Sequence, residues 1–162
     1  MKTHTRMQCA LATLALLAGC AFPGSVATNI SADELVQKLG KPTETRPNPT
    51  GGESWDYVYG PAGLETWRFG IDGGRVVRSK EQILTQQRLY QVVPGKTTEA
   101  QVRELLGKPS GITQLATGNT WDWRVDLVPT PGHFIVNFDR SGVATSIGVL
   151  MDMKIDNDRG SR

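Results

Sequence analysis

The sequence predicts an α+β protein made of two tandem units, each a helix followed by a three-stranded antiparallel sheet. Three observations lead there. The tetrapeptide Leu-Gly-Lys-Pro occurs twice, at 39–42 and at 106–109, 67 positions apart. Each copy follows a helix-start signal and precedes an aromatic stretch with period-two alternation, the mark of a half-buried strand. The chain also carries 18 glycines and 9 prolines in 162 residues, which favours short strands joined by many turns. At 38% hydrophobic and 21% charged, its composition is that of an ordinary globular protein.

The first nineteen residues are set apart from the fold. Lys2 and Arg6 precede a short apolar run, Cys9 to Gly19, too short to span a bilayer. The run ends in Leu17-Ala18-Gly19-Cys20, which resembles the lipobox of bacterial lipoproteins. The resemblance implies a signal peptide over 1–19, cleavage before Cys20, and lipid on the Cys20 thiol and its new amino group. Ala21 after the cysteine, in place of Asp, implies transport to the outer membrane of a Gram-negative cell, with the domain facing the periplasm. The plainer alternative is an ordinary secretory signal with a stray cysteine. Several acyl chains together anchor stably where one does so only marginally.

The leader also accounts for the charge. Of 18 Lys+Arg and 16 Asp+Glu, Lys2 and Arg6 belong to the leader, leaving 16 of each sign. The remainder has no global basic field for nucleic acid. Cys9 and Cys20 are the two cysteines, so a processed, lipidated chain has no disulfide.

Residues 20–29 read as a lipidated tether, 30–78 as the first unit, 79–152 as the second, and 153–162 as a polar tail. In the first unit Ser31 and Glu34 have capping-box spacing, and Leu35, Val36 and Leu39 form the apolar stripe. Gly40 is expected in the left-handed conformation at the helix end, and Pro42 prevents resumption. Strands are expected over 54–59, 67–71 and 76–77, with a tight turn at Asp72-Gly73-Gly74. In the second unit Thr98 and Gln101 have the box spacing, Val102, Leu105 and Leu106 the stripe, and Gly107 and Pro109 the stop. Strands follow over 120–127, 134–138 and 143–150, with a turn at 139–142. A further helix is expected over 79–91. In the first unit the equivalent leading helix is missing, or degenerate near the tether.

The stretches Tyr90 to Pro109, Trp121-Asp122-Trp123 and Phe134 to Val143 resemble the SmpA/OmlA (BamE-like) lipoproteins, whose pattern runs PGMT…VxxLLGxP, an aromatic strand, then xxFxxxGxV. The resemblance covers most of 80–150 and, more loosely, 28–78. It implies two helices packed on a three-stranded sheet. Two such units in tandem resemble the β-lactamase inhibitor proteins. It also implies a non-enzymatic accessory role in outer-membrane protein assembly, with a protein partner in the envelope such as the β-barrel insertion machinery. The alternative is an inhibitor or regulator of a periplasmic enzyme on the same fold.

The residues themselves offer little chemistry. His133 is the one histidine after the leader, so no His/Cys metal cluster can form, and neither a G-x-S-x-G elbow nor a phosphate loop is present. No cofactor is implied. His133 reads as an exposed strand-end residue. On alternation, Trp55, Tyr57, Tyr59, Trp67 and Phe69 share one face, as do Trp121, Trp123, Val125, Phe134, Val136 and Phe138, and these faces read as the core. Asp56 and Asp122 read as outward residues between inward aromatics. The opposite faces carry the candidate partner-binding residues: Arg68 on the first unit, and Asp122, Arg124, Asp126, His133 and Ile135 on the second. A plain solvated sheet face and a protein-binding surface remain open alternatives.

Overall fold

The computed structural model describes residues 21–48, 51–127 and 130–152. Cys20, the leader and the polar tail, with the expectations placed on them, lie outside the described residues. The chain is α+β, with two four-stranded antiparallel meanders in sequence. The first unit holds helix α1 (Ala32–Leu39) and strands β1 (Glu44–Pro47), β2 (Glu53–Tyr59), β3 (Glu65–Ile71) and β4 (Val77–Gln82). The second holds α2 (Gln86–Leu89), α3 (Glu99–Leu106), β5 (Gly111–Leu115), β6 (Gly118–Val125), β7 (Gly132–Asp139) and β8 (Ala144–Met151).

Each sheet thus has one strand more than expected. β1 and β5 follow the Leu-Gly-Lys-Pro stops directly and pair with β2 and β6. β1 ends on a proline and β5 is exposed throughout, so neither has the apolar alternation that marks a strand in sequence. The helix expected over 79–91 is replaced by β4 and a single turn of helix, α2. β4 runs across the expected junction at 78/79, and its charged residues are those of an edge strand.

The helix starts follow the sequence closely. Thr98 and Gln101 form the complete box: the Gln101 N–H donates to Thr98 Oγ1 at 3.4 Å, and the Thr98 N–H to Gln101 Oε1 at 2.9 Å. Only half of the first box forms. The Glu34 N–H donates to Ser31 Oγ at 3.1 Å, while the Glu34 carboxylate turns to Lys38 at 3.5 Å. The helix stops differ from expectation in conformation. Gly40 (φ 80°, ψ −165°) and Gly107 (φ 75°, ψ −162°) have positive φ but extended ψ, a region open essentially to glycine alone and distinct from the left-handed helical one. Each glycine N–H still closes its helix, onto the carbonyls of Val36 and Arg103.

The aromatic faces form the core as read, except that Trp67 packs half-buried at its margin and the half-buried Tyr59 lies outside it. Trp55, Tyr57, Phe69, Ile71 and Val77 pack with Leu35 of α1, and Trp121, Trp123, Val125, Phe134, Val136 and Phe138 with Val102 and Leu106 of α3. Burying each such side chain contributes about 1.5–3 kcal/mol.

Residues 21–29, within the expected tether, pack on the first unit. Pro23 and Val26 are buried, and Phe22 stands edge-on to Trp67 with ring centroids 5.5 Å apart. Lys80 Nζ on β4 donates to the carbonyls of Gly24 at 2.6 Å and Val26 at 2.7 Å. The Asn29 N–H then joins the Val77 carbonyl at 2.7 Å. The segment is stitched to the first unit from its first described residues.

Candidate functional site: the outer faces of the two sheets

The two sheets have outer faces in matching positions, and the structure uses them differently. On the first sheet Asp56 pairs across the ladder with Arg68. Arg68 Nε donates to Asp56 Oδ1 at 2.8 Å and its Nη2 to Oδ2 at 2.9 Å, a bidentate pair with Asp56 1% and Arg68 7% exposed. Arg46 of β1 adds Nη2 to Asp56 Oδ2 at 2.8 Å.

What covers this pair is α3 of the second unit. Arg68 Nη1 donates to the Glu104 carbonyl at 2.7 Å and to its carboxylate at 2.8 Å. Arg46 Nη1 reaches the Arg103 carbonyl at 3.1 Å and the Glu104 carboxylate at 3.2 Å. Arg103 in turn holds Glu44 of β1 at 2.8 Å. Arg68 therefore serves the Glu104 carbonyl at the end of α3, Arg46 adds a second donor to the Arg103 carbonyl beside the Gly107 N–H, and the cations face the negative end of the helix dipole. Burial pushes the Arg68 guanidinium down, and the hydrogen bond and charge of Asp56, with Glu104 and Glu81, outweigh it and hold Arg68 above its ordinary value. Gly107 completes the seat. A Cβ there would lie 3.1 Å from Thr66, 3.2 Å from Asp56 and 3.2 Å from Ile83, so the bare backbone lets the helix end sit against β3.

Arg68 is consequently withdrawn from the set of exposed partner-binding residues: it joins the two units. Asp56, Glu44, Arg46, Arg103 and Glu104 share that work, and sequence reasoning assigned none of them to it. Asp56 was legible only as an outward residue between aromatics.

On the second sheet the same side is open. Asp122 faces Ile135 across the ladder, and Arg124 faces His133. The His133 Nδ1–H donates to Asp122 at 2.8 Å, and its Nε2 lies 2.7 Å from Arg124 Nη1. Arginine can only donate, so Nε2 accepts and Nδ1 carries the proton. Arg124 also makes a bidentate pair with Asp152, at 2.9 and 2.6 Å. The hydrogen bond to Asp152 holds the Arg124 guanidinium above its ordinary value, and the reciprocal bond from Arg124 holds the Asp152 carboxyl below its own.

The structure thus brings Asp122, His133 and Arg124 together with Asp152, and puts Ile135 beside them on β7. Asp126 lies just past the end of β6 and is exposed. His133 is half-buried and bonded through both ring nitrogens, unlike the exposed residue expected. With its lone pair directed at Arg124, the imidazole serves as a spacer between two charges. Among the described residues no cluster of His, Cys, Asp and Glu is arranged to hold a metal ion, and no helix is long and apolar enough to cross a membrane.

Comparison with known proteins gives one family. Residues 81–148 match the model described as the outer membrane protein assembly factor BamE domain. Among the curated proteins none matches. Two solved structures are similar at low scores. A DUF4309 family protein (YjgB) from Bacillus subtilis shares 14% identity over 75% of this chain and 78% of its own, with a TM-score of 0.27. An extracellular protein containing a SCP domain from Bacillus anthracis shares 17% identity over 94% of this chain and 50% of its own, with a TM-score of 0.30, so this chain spans half of that protein. Scores this low place the chain in neither fold. Over residues 81–148, which take in most of the unit with the open sheet, this chain is similar to the BamE domain.

Proposed function

We propose that the chain is a lipid-anchored protein of the Gram-negative outer membrane, facing the periplasm. It acts there without catalysis, as a protein-binding accessory factor in outer-membrane protein assembly. The observation that carries this reading is the match of residues 81–148 to the assembly-factor domain. The surface we assign to the partner is the outer face of β6 and β7, with Asp122, Arg124, His133 and Ile135. Its counterpart on the first sheet already seats a helix end inside this molecule. Fixed opposite charges around one aliphatic side chain suit a protein partner, giving register through the charges and contact area through Ile135. Cys20 supplies the anchor, and confinement to the membrane surface raises the local concentration of the domain there.

The test is photocrosslinking from position 135 of the intact lipoprotein in its own envelope. A subunit of the barrel-insertion machinery is the expected product, and an additional Arg124→Glu change is expected to remove it. Deletion of the protein is expected to lower outer-membrane barrel proteins and detergent resistance. Unchanged levels of both overturn the assembly role, and a soluble periplasmic enzyme as the crosslinked partner points instead to an inhibitor.

A further inference from the structure

A cavity of about 380 Å³ lies where the described chain begins. Its walls are Ala21 and Pro23, Val36 and Leu39 from α1, and Tyr57 and Tyr59 from β2. That volume lies within the roughly 300–1,000 Å³ of small-molecule sites. The wall is mainly apolar, with Gln37 and Lys38 of α1 and two phenols as its polar groups, and one phenol is already engaged: Tyr57 donates its hydroxyl to the Gly40 carbonyl at 3.2 Å. Burial pushes that phenol up to about 12, so it stays a neutral donor. Val58 is part of the wall and Phe22 packs on Tyr59 with ring centroids 5.6 Å apart, and they keep 40% and 43% of their surface exposed.

The attachment matters as much as the cavity. Residues 22–26 are pinned by Lys80, by burial of Pro23 and Val26 and by the aromatic stack of Phe22. Cys20 is covalently bonded to Ala21, which is itself part of the cavity wall.

We infer that this cavity takes one acyl chain of the lipid carried on Cys20. The inference rests on the lipoprotein reading and adds a site to it. An acyl chain bonded one residue from the opening is present at an effective concentration that a free lipid does not reach. Each methylene moved from water to an apolar wall contributes about 0.8 kcal/mol, so a partly inserted chain already favours the cavity over water. In the bilayer that gain is nearly cancelled, because lipid tails are equally apolar. The site therefore acts when the lipoprotein is out of the membrane, shielding one chain in the aqueous periplasm and releasing it on arrival.

The experiment uses the full lipoprotein from cells fed a diazirine-bearing fatty acid, purified and irradiated in detergent-free buffer. Intact mass comes first. A processed chain without acyl mass on Cys20 overturns both the lipoprotein reading and this inference. With the acyl mass present, crosslinks are expected in the peptides spanning 32–39 and 53–59. Crosslinks scattered over the surface, or none in those peptides, overturn this inference alone. The variant Val36→Trp fills the cavity from a half-buried position and is expected to reduce those crosslinks at least fivefold with an unchanged melting temperature. Undiminished crosslinking in the folded variant overturns the site. In a parallel arm, the Cys20→Ala chain, expressed without its leader, is mixed with vesicles of phosphatidylethanolamine and phosphatidylglycerol carrying a diazirine phospholipid. Absence of crosslinks in the same peptides is expected. Their presence assigns the cavity to bilayer lipid and overturns the assignment to the lipid on Cys20.

Discussion

The outer face of the first sheet and that of the second begin from the same local pattern, Trp-Asp-aromatic on the second strand, and end in different environments. Asp56 is 1% exposed under a neighbouring helix, while the Asp122 side chain is 30% exposed beside His133. The difference is also visible strand by strand. β7 alternates buried and half-buried residues along its whole length, as a one-sided sheet does, whereas β2 and β3 carry runs of buried residues on both faces. The sheet edges differ likewise. β4 carries Arg78, Lys80 and Glu81 and is tied to residues 24 and 26, while β8 has no charged residue and exposes Ile147, Val149 and Met151. One unit is closed by its neighbour and its own N-terminal segment, and the other keeps both face and edge open.

The largest effect should come from breaking the closed face. Asp56→Ala leaves the buried Arg68 and the half-buried Arg46 against the end of α3 without their carboxylate, a loss of about 3–5 kcal/mol. Asp122→Ala removes a half-exposed partner of His133 and is expected to cost about 1 kcal/mol or less. Urea unfolding of the two variants measures the contrast. Similar losses in both would mean that the first face is as solvated as the second.

The comparison also explains what was legible. The repeat of start and stop signals, the aromatic strands and both core faces could be read because apolar periodicity and capping chemistry are local. The closed face could not be read this way. Asp56, Thr66 and Arg68 are polar and outward on alternation, and polarity ordinarily signals solvent. They are buried because a helix more than 30 residues further along the chain brings carbonyls and Glu104 to them, a long-range pairing that no window of sequence contains. β1 and β5 were missed for a related reason: as edge strands they bury little and owe their conformation to the ladder of the next strand. The helix expected at 79–91 failed because polar, good helix-forming residues such as Lys80, Glu81 and Gln82 serve equally well as the charged rim of a sheet edge. On the second face the grouping of Asp122, Arg124 and His133 was legible from alternation, while Asp152 was not, since it joins from beyond the last strand.

The two helix stops sharpen the comparison at the next level. Gly40→Ala forces a side chain into a glycine-only conformation in open space, at a cost on the order of 1–3 kcal/mol. Gly107→Ala carries the same backbone strain and also presses a methyl against Thr66, Asp56 and Ile83, so thermal melting should show the larger loss there. Equal losses would place the helix end farther from β3 than the structure has it. The helix starts follow with smaller effects. Thr98→Ala removes the two bonds of the hydroxyl, from the Gln101 N–H and to Gln101 Oε1, keeps the backbone half of the box and should cost about 1 kcal/mol, whereas Ser31→Ala removes a single bond and should cost about 0.5 kcal/mol, read as a difference in urea midpoints.

The smallest effect concerns a feature the two units share, the turn before the last strand. Asp72 Oδ1 accepts from the Val76 N–H at 2.9 Å, and Asp139 Oδ1 from the N–H groups of Ser141 at 2.8 Å and Val143 at 3.1 Å. These bonds act on the charged carboxylate and hold both groups below their ordinary value: Asp72 chiefly through the Val76 N–H and the Arg78 guanidinium, Asp139 chiefly through Ser141 and the Val143 N–H. A carboxyl with a lowered folded value binds protons more readily in the unfolded chain. Its stabilising contribution is therefore fully present above the unfolded value of about 3.9 and is lost as the pH falls through the folded one. Asp72→Asn and Asp139→Asn keep the acceptor oxygen but cannot titrate, so each should flatten the acid limb of the stability curve below about pH 4 and leave its shape at neutral pH unchanged. Both carboxylates share the bond from the N–H four residues on, and Asp139 has the Ser141 hydroxyl where Asp72 has the Arg78 guanidinium, so the two variants should flatten it to a similar degree. A clear inequality, measured as melting temperature against pH from 2 to 7, would extend the asymmetry of the sheets to their turns.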